Sequence, residues 1–261
     1  LRSFLPSPEV KSPKENKKPR RTLAGAVPHP STMKRPRDKE HMDDIAKLIS
    51  GFRDFRRENF TATSSRFQDL VSRGQSPRIM VIACSDSRVD PAIVTGAELG
   101  DLFVVRNVAN LVPPCQGDSH HHGTSTALEY AVRILGVAHI IVFGHARCGG
   151  IHALMESGEK PATTESTDFM ESWMEIARSA QDEVLRTMPD AGLEEQATAC
   201  EKLGVKTSLK NLMTFPWIAS PVAARELHLH GWYFDLVEGV LYALDTENGE
   251  FRPAEDLFPL V

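Results

Sequence analysis

The chain has 261 residues, 41% of them hydrophobic, and 30 Lys and Arg stand against 35 Asp and Glu for a formal net charge of −5. That content is ample for the core of one α/β domain or two small ones, while no apolar stretch approaches the roughly 18–20 residues that span a bilayer, so no membrane role is expected. Four cysteines in a chain of this length are too few for a secreted disulfide framework, which points to a reducing, cytoplasmic setting.

Residues 1–41 read as a disordered, basic, Pro-rich tail. Residues 1–40 carry 11 Lys or Arg and 4 Asp or Glu, and Pro6, Pro8, Pro13, Pro19, Pro28, Pro30 and Pro36 are interleaved with lysines and few apolar side chains, too few to bury a core. No apolar segment of secretory length is present, so export has no support, whereas organellar targeting by the tail stays open; Met33 and Met42 are both candidate starts. The rest of the chain holds 19 basic and 31 acidic residues, an acidic body that argues against a nucleic-acid partner.

Residues 42–261 read as the folded domain. From Asp43 to Phe60, Ile45, Leu48, Ile49, Phe52 and Phe55 recur with helical spacing, a face that either covers its own core or wraps a partner subunit; the pattern does not separate the two. Val81–Ala83, Leu102–Val105 and Ile140–Phe143 are short Val/Ile-rich runs, as in buried parallel strands. Thr124–Leu135 reads as the crossover helix between the last two, preceded by Gly123 and capped by Gly136. Phe169–Met188 and Glu194–Met213 are further helical stretches, the second ended by Pro216. Trp232–Leu244, then Asn248-Gly249 and Phe251, looks like two strands joined by a turn. The expected fold is α/β: a mostly parallel β-sheet flanked by helices, with an N-terminal helical arm and a C-terminal strand pair. There is no G-x-G-x-x-G or P-loop after any strand, so nucleotide binding is disfavoured.

The chemistry sits where the strands end. Cys84-Ser85-Asp86-Ser87-Arg88 follows the first run, and His145-Ala146-Arg147-Cys148-Gly149-Gly150 follows the third. Two thiolates and one imidazole form a three-ligand set for zinc, leaving a fourth position for water, which is the pattern of a catalytic site. Cys115 and Cys200 have no neighbouring ligand to close a structural site and read as a loop thiol and a helix-packing thiol. Parallel-strand topology would bring Cys84 and His145 together outside the carboxyl ends of the sheet. Thiolate ligands donate charge and make water on the metal less acidic than three histidines would, so a helper group is needed. Asp86 and Arg88 can form a charge-assisted pair that leaves one carboxylate oxygen to orient that water; alone, an Asp-x-Arg is more often a plain turn-holding ion pair.

These motifs, C-x-D-x-R at 84–88, Arg106-Asn107-Val108-Ala109-Asn110, and Gly144-His145-x-x-Cys148-Gly149-Gly150, occur in the order seen in β-class carbonic anhydrases. The resemblance covers roughly residues 44–258 and is densest between Gln75 and Ile151. It implies a Zn2+ cofactor held by Cys84, His145 and Cys148, interconversion of carbon dioxide and bicarbonate, and a homodimer or higher homo-oligomer. In some members the matching aspartate closes the site, which would make Asp86 a conditional fourth ligand. That subgroup carries a tryptophan where this chain has Val81, and the open, plant-like subgroup has a glutamine at the position of Gln75, so the open form is favoured. Phe103, Val108 and Tyr130 match the family's apolar substrate pocket, built partly from the neighbouring subunit, and Gly149 matches a backbone donor beside the zinc. From their residue types alone, Gln75 reads as a solvated loop residue and the other three as packing residues. Hydrolases of carbonyl sulfide or carbon disulfide, and non-catalytic zinc-binding or sensing homologues, share the resemblance. His120, His121 and His122 form an adjacent run in an irregular connection and are not expected to hold metal; His139, His152, His228 and His230 read as core or surface residues.

Overall fold

The computed structural model describes residues 40–60, 65–117, 122–158 and 169–258. The proline-rich tail up to residue 39, with its expected disorder, and His120 and His121 lie outside them. Helix α1 (Glu40–Asn59) is a unit by itself, and the compact unit begins at Phe60. On α1, Ile45, Leu48, Ile49 and Phe52 are all exposed.

The compact unit is organised by a six-stranded sheet. Strands β1 (Ile79–Cys84), β2 (Leu102–Asn107), β3 (His139–His145), β4 (His228–Asp235), β5 (Val240–Leu244) and β6 (Phe251–Pro253) lie in the order β2-β1-β3-β4-β5-β6. The pairs β1–β2, β1–β3 and β3–β4 are parallel, and β4–β5 and β5–β6 antiparallel. The chain leaves β1 toward β2 on one side and returns to β3 on the other, so β1 and β3 flank the point where strand order reverses, the crevice in which open α/β sheets bind ligands.

Alternation along the strands sends side chains to two faces. Met80, Ile82, Ile140 and Val142 pack with Leu128, Ala131, Leu212 and Ile218 on one face; Val81, Ala83, Ile141 and Phe143 pack on the other. All eight strand residues are buried, and each large one stabilises the fold by about 1.5–3 kcal/mol.

Helices α2 (Ser65–Arg73), α3 (Pro91–Thr95), α4 (Gly123–Glu129), α5 (Gly149–Ser157), α6 (Phe169–Met174), α7 (Arg178–Thr187), α8 (Leu193–Leu212), α9 (Pro216–Ala223) and α10 (Ala254–Leu257) complete the unit. Helix α8 lies against β3 and β4, and two glycines permit the close approach. A Cβ on Gly144 would fall 2.6 Å from Val205 Cγ2, and one on Gly231 would fall 3.0 Å from both Leu209 Cδ1 and Val205 Cγ1.

The structure departs from the sequence expectations in four places. The crossover helix widens to π geometry over Tyr130–Leu135 before Gly136 caps it at φ +66°, a change of winding that leaves the apolar period nearly untouched. A 3₁₀ turn at Glu175–Ala177 divides the stretch from Phe169 into α6 and α7. Pro216 is at the first turn of α9, where its missing N–H costs nothing, so it starts a helix as well as ending one. The C-terminal strand pair is three strands and two turns, because β4 begins at His228 as the fourth parallel strand and the stretch Trp232–Leu244 contains the turn after Asp235.

Candidate metal centre

Cys84 is the last residue of β1, His145 the last of β3, and Cys148 the residue before α5. The three are 5%, 1% and 2% exposed, and their ligand atoms all lie within 4.8 Å of one another. Cys84 Sγ and Cys148 Sγ are 4.0 Å apart, close to the edge of about 3.8 Å that a tetrahedron with 2.3 Å zinc–sulfur bonds requires. His145 Nδ1 is 2.8 Å from the Ala146 carbonyl oxygen. A carbonyl only accepts, so Nδ1 carries the proton and Nε2 presents a bare lone pair. That Nε2 is buried with no hydrogen-bond partner, a costly state for a polar atom unless something binds it. Donor types, spacing and the orphaned nitrogen all fit a zinc ion.

Without a metal the three groups hold their protons unequally. The Cys148 thiol beside it, with His145 near, holds Cys84 well below the usual thiol range; hydrogen bonding to Cys84 and burial push Cys148 up. The pair sheds one proton readily and keeps the second. Burial opposes protonation of His145, but the neighbouring Cys84 and the Ala146 carbonyl together raise it.

Asp86 and Arg88 form a bidentate pair. Arg88 Nε and its backbone N–H donate to Asp86 Oδ1 at 2.9 and 3.0 Å, and Nη2 donates to Oδ2 at 2.7 Å. Arg88 holds the Asp86 carboxyl well below the usual carboxylate range. Both oxygens are engaged, not one as the sequence suggested; Oδ2 accepts a single bond here and keeps a lone pair. Arg88 Nη2 also donates to the Arg147 carbonyl at 3.0 Å, so one guanidinium ties the β1 loop to the β3 loop. Asp86 belongs to this pair, not to the converging ligand trio.

Several supports were not visible as site residues. Arg106 donates to the Cys84 carbonyl (Nε, 2.9 Å), the Asp86 carbonyl (Nη2, 2.6 Å) and Asp90 Oδ2 (Nη1, 3.0 Å), cradling the first ligand loop. Asp90 Oδ1 caps α3 by accepting from Ala92 and Ile93 N–H. Asn107 Oδ1 accepts from Leu111 N–H and its Nδ2 donates to the Leu111 carbonyl, bracketing Ala109 and Asn110, both at positive φ. Glu201 on α8 accepts from the Cys148 N–H at 2.7 Å and from the Tyr233 hydroxyl at 2.8 Å. The Arg-Asn-Val-Ala-Asn motif marked Arg106 and Asn107; a lone glutamate in a helical stretch carried no mark.

The expected pocket residues divide. Val108 packs on the cluster that contains Cys84 and Cys148, its carbonyl accepting from Trp173 Nε1 at 2.8 Å, and Gly149 opens α5 directly after the ligand Cys148. Phe103 and Tyr130 stack on each other at 5.9 Å, and Phe103 packs on the separate cluster under the sheet; Gln75 is exposed ahead of β1. Val81 lines an apolar cleft of about 420 Å³ on the opposite sheet face, beside Trp232. His152 pairs with Glu156 and Glu194 at the surface, and His139 Nδ1 meets His230 Nε2 at 3.2 Å. Cys200 is buried on α8 and Cys115 exposed.

The profile of the carbonic anhydrase family matches residues 79–241. Over 213 residues, 81% of each chain, the sequence is 36% identical to beta carbonic anhydrase 3 of Arabidopsis thaliana. The structure of the β-carbonic anhydrase CcaA is 35% identical with a TM-score of 0.73, covering 80% of this chain and 99% of that one. A tetrameric β-carbonic anhydrase from Sordaria macrospora is 28% identical with a TM-score of 0.59, covering 78% of this chain and 95% of that one.

Proposed function

The chain belongs to the β-class carbonic anhydrase family, and from that premise we propose that it is a zinc enzyme for the reversible hydration of carbon dioxide to bicarbonate and a proton. The observation that carries the proposal is the orphaned, buried His145 Nε2 converging with two cysteine sulfurs. Cys84, His145 and Cys148 would hold the ion. Zinc bound there supplies Lewis acidity, generating a nucleophile from water near neutral pH and stabilising charge as it develops.

The chain's own groups do the positioning. Asp86 stays ionised because Arg88 grips it, and its spare Oδ2 lone pair accepts a hydrogen bond from substrate water, fixing the direction of attack. Arg88 spans both ligand loops through Arg147 and so keeps Asp86 from the fourth ligand position, the open form. The N–H of Gly149, in the first turn of α5 where a helix offers no internal acceptor, would donate to a product oxygen. Val108 offers an apolar wall suited to an uncharged gas, and Gln75, Phe103 and Tyr130 would complete the pocket from a second copy of the chain. A homo-oligomer is therefore part of the proposal, supported by the tetrameric Sordaria relative. Among the described residues no helix is long and apolar enough to cross a membrane.

The test is metal analysis of the purified chain and of Cys84→Ala, His145→Ala and Cys148→Ala. The parent is expected to hold about one zinc per chain, as three ligands and one exchangeable position require, and each variant to lose it with its hydration activity. Full zinc occupancy in any variant removes that residue from the ligand set.

A further inference from the structure

The peptide joining Arg147 to Cys148 is gripped at both ends. Its carbonyl oxygen accepts from Arg88 Nη2 at 3.0 Å, and its N–H donates to Glu201 Oε1 at 2.7 Å. In a trans peptide these groups point in opposite directions within one plane, so a cation at one edge and a carboxylate at the other fix the plane's rotation. That rotation needs fixing. Arg147 has φ +55°, in the left-handed region that residues with a Cβ avoid, and Cys148 must turn at once into α5. Its sulfur converges with the Cys84 sulfur and the His145 ring while its own amide faces Glu201.

Glu201 is built in, not solvated. It is 4% exposed, and its second oxygen is occupied by the hydroxyl of Tyr233, itself 1% exposed. A buried carboxylate persists only where such partners are provided, and here one of them is the backbone of a ligand residue.

We infer that Glu201 is a positioning residue for the metal ligand Cys148: it opposes Arg88 across the Arg147–Cys148 peptide, holding the sulfur in its ligand position and, through the same peptide, Arg88 in place against Asp86. The inference rests on the zinc reading above and adds to it a fixed point on α8.

The test is the rate at which the full-length, zinc-loaded protein releases zinc to an excess of colour-forming chelator, together with the sulfur-to-cobalt charge-transfer absorption of the Co2+ form. Glu201→Leu removes the acceptor and should speed release by about 10–100-fold, the range for loss of a group that orients a ligand, with a displaced charge-transfer band. Glu201→Gln keeps a neutral acceptor for the Cys148 N–H and should speed release only about 3–5-fold. Tyr233→Phe frees the other oxygen alone and should stay within about 2-fold of the parent, since the peptide clamp is intact. A purely structural role for Glu201 would give no rescue by glutamine and no selective change in the cobalt spectrum. Parental release rates in both Glu201 variants, or Tyr233→Phe releasing as fast as Glu201→Leu, would overturn the inference. Should Glu201→Leu not fold, the Glu201→Gln and Tyr233→Phe rates decide, equal rates counting against it. A parent chain that holds no zinc would overturn the metal reading as well; a zinc-holding parent with unchanged variants overturns only the clamp.

Discussion

Gly144 precedes His145 on β3, and its missing side chain is what lets α8 lie as close as it does. In Gly144→Ala the new Cβ would stand 2.6 Å from Val205 Cγ2 and 3.6 Å from Asn110 Nδ2, the first about an ångström inside the usual carbon–carbon contact of about 3.5–4.0 Å. Val205 is fully buried and its β-branched side chain has one strongly preferred helical rotamer, so it cannot turn aside. The cost should fall in the upper half of the overpacking range, about 2–3 kcal/mol. Val205→Ala removes two buried methyl groups, costing about 2 kcal/mol once some cavity is included. In the double variant the added methyl occupies the space the valine vacates, so the total should be about 2 kcal/mol, below the sum by a coupling of about 2–3 kcal/mol. Urea unfolding of the four proteins, metal-free and at one protein concentration because subunit association is linked to stability, measures all three numbers. Gly144→Ala within about 0.5 kcal/mol of the parent, or single costs that simply add, would refute the close-approach argument.

Three further outcomes are expected. Asp86→Asn should keep zinc and lose most hydration activity, since it removes the charge that Arg88 pairs with but no metal ligand; unfolding with no separate loss of turnover would make the pair structural only. Arg106→Lys cannot reproduce a fork that bonds two carbonyls and Asp90 at once, and should cost about 2–3 kcal/mol in chemical denaturation; a cost under about 0.5 kcal/mol would remove it as the support of the Cys84 loop. Burial, with His139 and His228 adjacent, pushes His230 down to about 4, below its unfolded value of about 6.5. Its contribution is therefore present above about pH 6.5 and is lost as pH falls toward 4, by at most about 3 kcal/mol. Metal-free His230→Gln should show a flatter stability–pH curve across that window, and an unchanged slope would contradict the assignment.

Two of the candidate ligands were legible because Cys84 and His145 each close an apolar run, so a strand could be inferred directly before them, and Cys148 because it stands three residues after His145. The β1/β3 adjacency that joins them followed from the general behaviour of parallel sheets. Glu201 was not legible: its partner, the Cys148 amide, is 53 residues away, and nothing local distinguishes a glutamate on the buried side of α8 from those on its exposed side. The first half of β4 was missed for a related reason, since His228 and His230 alternate with Leu229 and Gly231 and so lack the apolar run that marked β1 and β3. The π winding of Tyr130–Leu135 and the 3₁₀ turn at Glu175 change how the backbone is wound while barely altering the spacing of apolar residues, so periodicity reads straight through them. Phe103 and Tyr130 were singled out by resemblance, and within one chain they stack on each other, with Phe103 on a different cluster from Cys84 and Cys148.

The most direct test of the central claim is stopped-flow carbon dioxide hydration by the full-length protein, stripped of metal and then titrated with Zn2+ while bound zinc is counted. Activity should be absent from the stripped protein and rise in proportion to bound zinc until about one ion per chain. A fully zinc-loaded protein that hydrates carbon dioxide no faster than buffer, yet hydrolyses carbonyl sulfide, would contradict it.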